Sequence, residues 1–140
     1  MPKFLYIFGY ETPGLAAMNK SMTAKGIYSD CEDSEWFFIP ADTKEQALEW
    51  GEKLADEYMK VLYNDPSATR QSHGSAGWIE ERGPLVHWDE KIIKMHPEEY
   101  AAAVKNVDNI PVIKVGEYPD IQKLVHERYG PADLNPSANN

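Results

Sequence analysis

EWFFIPADTKEQALEWGEKLADEYMKVLYNDP, residues 35–66, reads as a short buried strand followed at once by a long amphipathic helix. Glu35–Ile39, with four apolar residues in a row after the glutamate, reads as a buried strand. Asp42 is a favourable N-cap, and Glu45 three residues later makes a capping-box-like start. Ala47, Leu48, Gly51, Leu54, Ala55, Tyr58, Met59 and Leu62 then recur at helical spacing, while Glu49, Glu52, Lys53 and Lys60 fall on the solvated side. Trp50 lies off that apolar stripe. Asn64 suits the left-handed residue after a helix, and Pro66 forbids continuation. A helix of about five turns with one dry face needs a sheet to cover, and the residues around it supply one.

Lys3–Tyr10 has Phe4, Tyr6, Phe8 and Tyr10 on one face and Leu5 and Ile7 on the other. A strand apolar on both faces belongs in the middle of a sheet. Residues 11–34 are the least regular, with a short helical turn expected between Leu15 and Met22. Beyond the long helix, Trp78–Arg82 reads as a strand of edge character, and Leu85–Trp88 can pair back after the Gly83-Pro84 turn. Pro97 at a first helical position, with Glu98 and Glu99 behind it, starts a second helix. Ile110–Val115 is a strand whose Pro111 suits a sheet edge. A last helix is expected from Pro119, burying Ile121, Leu124, Val125 and Tyr129, with His126 and Arg128 opposing the negative charge of its C-terminus.

These elements make an α+β, two-layer sandwich, with a mixed or antiparallel sheet of four to five strands and two to three helices. A split β-α-β, ferredoxin-like order is one arrangement of them. The chain has 140 residues, one domain's worth, which the patterning divides into a domain over 1–130 and a flexible tail over 131–140. A net charge of −9 argues against nucleic acid as a partner. No apolar run has membrane-spanning length, and the initial one stops at Gly9, too soon for a signal peptide. The single cysteine, Cys31, has no internal partner, which fits a reducing, cytoplasmic setting.

Five constellations could carry chemistry. Asp30, Glu32, Asp33 and Glu35 could attract a hard cation, but the stretch lacks the glycine and closing glutamate of a calcium loop, and a solvated turn explains it. The segment from Thr69 to Ser75 gathers Arg70, Ser72, His73 and Ser75, with Trp78 nearby as a wall. Arg70 could hold an anion there and His73 act as general acid or base, although the composition is also that of an ordinary linker. His87 and His96 each lie beside carboxylates and are candidate metal ligands, without the spacing of a zinc motif. Cys31 is flanked by Asp30 and Glu32, which disfavour a reactive thiolate. Trp36 and Phe38 share a strand face and read as core, while Trp50, Trp78 and Trp88 could line a pocket or interface, or simply close the end of the core.

No motif names an activity and none implies a cofactor. The reading that follows is a small, acidic, non-catalytic binding or interaction domain. Its partner would be a protein or a small-molecule ligand, with self-association through a sheet edge or aromatic patch in keeping with it. The alternative is a small enzyme acting on a polar or anionic substrate through His73 and Arg70.

Overall fold

The computed structural model describes residues 1–74, 77–80, 83–86 and 88–130. The elements run β1 (Lys3–Tyr10), α1 (Pro13–Ala24), β2 (Asp33–Pro40), α2 (Lys44–Leu62), α3 (Arg70–His73), β3 (Trp78–Glu80), α4 (Glu90–Met95), α5 (Pro97–Asp108) and α6 (Ile121–Tyr129). The fold is α+β. Its antiparallel sheet has the order β2-β1-β3, with β1 in the middle as its two apolar faces require. Because β1 runs opposite to both neighbours, β2 and β3 are parallel to one another and α2 is the crossover between them. Among the described residues no helix is long and apolar enough to cross a membrane.

One sheet face carries the core. Tyr6, Phe8 and Tyr10 of β1 and Phe37 and Ile39 of β2 meet Leu54, Tyr58 and Leu62 of α2, with Val125 of α6 closing one side. Phe8 and Tyr58 meet edge to face at 5.5 Å, the favoured arrangement of two ring quadrupoles. On the opposite face Leu5 and Ile7 are buried in register with Phe38 and Trp36. The Tyr6 ring fills a slot so narrow that a Cβ at either Gly51 or Gly77 would overlap it. Gly51→Ala is therefore expected to destabilise by about 1–2 kcal/mol. Overpacking of about 1–3 kcal/mol outweighs the ~1 kcal/mol that alanine gains over glycine in a helix. Urea melts check this, and in a Tyr6→Leu background the same change should become neutral or stabilising.

Several expectations are corrected. Among the described residues the sheet has three strands rather than four to five and there are six helices rather than two to three, and a ferredoxin-like arrangement is not confirmed. Residues 84–86 form a turn, closed by the Trp88 N–H to the Leu85 carbonyl at 3.0 Å, so no strand begins at Leu85. Glu81, Arg82 and His87, which the expected strands included, and the expected tail at 131–140 lie outside the described residues. Ile110–Val115 contributes one parallel bridge, Phe38 to Val112, flanked by hydrogen bonds of 2.9 and 2.8 Å. Pro111, which has no N–H, supplies only its carbonyl to that edge.

The remaining differences are local. Residues 11–34 hold a twelve-residue helix capped by Thr12, where only a short turn was expected. The long helix is capped by Thr43, one residue later than expected, in a reciprocal box with Gln46 rather than Glu45. Asn64 is left-handed at φ 49°, and α5 begins at Pro97, both as the sequence suggests. The last helix starts at Ile121, because Asp120 caps it through the Lys123 N–H at 3.1 Å. Trp50 belongs to the buried face of α2, its ring edge against Tyr118 at 5.0 Å.

Candidate ligand cleft

The segment expected to hold an anion is arranged differently. Residues 70–73 form a single helical turn in which Thr69 and Ser72 cap one another, so the Ser72 hydroxyl and N–H are used internally. The Arg70 guanidinium lies 3.3 Å from Glu52 with its side chain only 15% exposed, and its backbone N–H donates to Asp56 at 3.0 Å. Glu52 of α2 thus already faces this cation while Asp56 holds the backbone beside it, and an incoming anion would have to displace Glu52. His73 stacks flat on the Tyr63 ring, centroids 3.8 Å apart, and its carbonyl accepts the Glu11 N–H. The Tyr63 phenol donates to the Glu11 carbonyl, and burial pushes its pKa up to about 12. Ser75 lies outside the described residues, and Trp78 is exposed on β3.

The arrangement ties α3 to α2 and to the end of β1. It also revises the reading of Glu52 as a solvated residue. Glu52→Ala leaves a largely buried guanidinium short of a partner and is expected to cost about 1–2 kcal/mol in denaturant melts, where an exposed glutamate would cost almost nothing. A loss below about 0.5 kcal/mol would show the pair to be incidental.

His96 is exposed at the junction of α4 and α5, and His87 lies outside the described residues. Among the described residues no three His, Cys, Asp or Glu side chains gather as metal ligands would. Cys31 is exposed, its backbone N–H and carbonyl both bonded to the buried Asn19, which also receives Ser29 and donates to Glu11. Within the acidic run, Asp30 accepts the Tyr28 phenol at 2.8 Å.

Asp33 and Glu35 have a role the composition did not suggest. The Tyr58 phenol donates to Glu35 at 2.8 Å and that of Tyr129 to Asp33 at 2.8 Å, while Tyr10 lies between the two phenols. Arg128 closes the circuit, donating to Glu35 at 3.0 Å and to the Ser34 carbonyl at 2.6 Å, with Asp33 at 3.8 Å. Burial is the first cause that raises the pKa of all three phenols, so they stay neutral as donors. Tyr58 donates outward to one carboxylate and Tyr129 to the other, so Tyr10 is the member whose hydroxyl neither acid depends on. A buried phenol needs a partner, but the partners come from β1, β2, α2 and α6 and have no common signature in the sequence.

Ser34, Glu35 and Arg128 of this network also line a cleft of about 980 Å³ between β2 and the C-terminal half of α5. Trp36 and Trp88 supply aromatic wall, Leu85, Val107 and Ile110 aliphatic wall, and Glu35, Glu127, Arg128, Asn106 and Asn109 the polar groups. Trp36 is held by its indole N–H to Ser34 Oγ at 3.1 Å, and Trp88 leans on Tyr100 at 5.6 Å. Of the residues singled out as a ligand site, none of Arg70, Ser72, His73 and Trp78 lines this cleft. Apolar walls with a few convergent polar groups on regular elements are the usual form of a small-molecule site. The chain matches no family model, no curated protein and no solved structure.

Proposed function

We propose that the protein is a non-catalytic binding module whose ligand is a small molecule with an apolar body, taken up between β2 and α5. The observation that carries this reading is the cleft itself. Its volume is at the upper end of ordinary ligand sites, two of its walls are tryptophans, and strand and helix hold most of its lining. The side chains that would make an enzyme of the Thr69–Ser75 segment are engaged in stacking and ion pairing, so a catalytic reading through His73 and Arg70 has little to stand on.

Trp36→Ala tests the proposal. Ethylbenzene, as an uncharged probe, should perturb the indole N–H resonances of Trp36 and Trp88 while leaving Trp50 in place. Removing the Trp36 ring should weaken that binding about tenfold or more, as for a buried aromatic anchor. Trp88→Ala gives a second reading from the other wall. Unchanged binding in both variants would place the ligand elsewhere.

A further inference from the structure

The geometry points to an organic cation as the ligand, a protonated amine carried on an apolar body. This rests on the binding reading above and adds the charge of the guest. Among the described residues, the charged ones lining the cleft are Glu35, Glu127 and Arg128. Arg128 is the cation an anionic ligand would need, and it is already committed. One guanidinium nitrogen donates to both the Ser34 carbonyl and Glu35, the other has Asp33 within 3.8 Å, and the group lies over the Tyr129 ring. The carboxylates are less fully used. Glu127 is 62% exposed and has Lys123 at 4.0 Å, the outer limit of an ion pair. Glu35 receives Tyr58 and Arg128 on Oε2, while from the described residues its Oε1 has one long contact, the Trp36 N–H at 3.4 Å. Among the described residues, Glu35 and Glu127 against Arg128 give the lining one net negative charge, and their neighbours Asp33 and Lys123 offset one another.

The backbone adds to the same sign. Asn106, Val107 and Asn109, from the C-terminal end of α5, and Glu127 and Arg128, from that of α6, all line the cleft. The C-terminus of a helix presents carbonyl oxygens and about half a unit of negative charge. Two such ends at one cleft favour a cation and disfavour a carboxylate. The whole-chain charge of −9 works in the same direction at longer range. Trp36 lines the same cleft, and an indole face attracts an ammonium through its quadrupole, while the rest of the guest meets apolar wall.

Three probes with similar bodies and different charges decide the matter: 2-phenylethylamine, ethylbenzene and 3-phenylpropanoate, titrated against the full chain by the Trp36 and Trp88 indole resonances. The amine should bind about tenfold tighter than the carboxylate, with the neutral probe between them, and its advantage should shrink as salt is raised. Glu127→Gln, at an exposed position that does not threaten folding, should weaken the amine several-fold and leave ethylbenzene unchanged. If the carboxylate binds as tightly as the amine, or the amine gains less than about twofold over ethylbenzene, the inferred charge is wrong while the cleft remains a binding site. If none of the three moves either indole, the binding reading fails and this inference fails with it.

Discussion

Above pH 10 the protein is expected to unfold steeply, with a midpoint above about pH 11, because its core holds phenols that cannot ionise in place. Tyr6, Tyr10 and Tyr58 are fully buried, and burial is the first cause that raises each pKa above the ordinary value of 10.0. An unfolded chain releases those protons near pH 10, whereas the folded chain keeps them. The folded state therefore binds more protons above pH 10, and stability falls as pH rises, by about 1.4 kcal/mol per unit for each phenol. Three phenols together give a loss of about 4 kcal/mol per pH unit, enough to exhaust a typical stability of about 5–15 kcal/mol within a few units. Below pH 10 the term is absent. Tyrosinate absorbance should rise together with the loss of helical circular dichroism. Tyr10→Phe, which leaves Tyr58 with Glu35 and Tyr129 with Asp33, should fold at neutral pH and shift the alkaline midpoint upward. Reversible ionisation of every phenol with the helical signal intact would mean that the core admits water.

Leu54→Ala is expected to cost about 2–5 kcal/mol, the range for a leucine deleted from a core that closes only partly around the gap. Leu54 is 0% exposed in the middle of α2, in the cluster that includes Tyr6, Phe8 and Phe37. The sheet beneath it is pinned by cross-strand hydrogen bonds and the Tyr6 ring by the Gly51–Gly77 slot, so little can move in to fill the space. Glu49→Ala on the same helix, at a side chain 74% exposed, should cost less than about 0.5 kcal/mol. Equal losses in guanidinium melts would show that α2 does not bury the face described.

Part of this structure is legible residue by residue along the chain. The period of Ala47, Leu54, Tyr58 and Leu62, the left-handed Asn64 and the stop at Pro66 mark α2, and the two apolar faces of Lys3–Tyr10 mark the central strand. The same holds for α5, which Pro97 and its two glutamates open. These features depend on neighbours one turn or two residues away, and local steric and hydrogen-bonding rules are enough for them. The exact cap is less legible, since Asp42 and Thr43 are both favoured cap types with aspartate the stronger, and only the reciprocal bonds with Gln46 select Thr43.

The functional features depend on tertiary structure instead. Arg70 looks like an anion holder until α3 folds against Glu52 and Asp56 of α2. Arg128 looks like a charge opposing its own helix end until α6 brings it to Ser34 and Glu35, more than ninety residues away. Tyr10, Tyr58 and Tyr129 read singly as core rings, and their hydroxyls become a network only when the strand and two helices converge. Trp36 and Trp88 come to line one cleft in the same way. Helix and strand periods follow from the repeat of the backbone and are written into consecutive residues. A site is a set of distances between distant side chains, which exists only after the chain has closed its core.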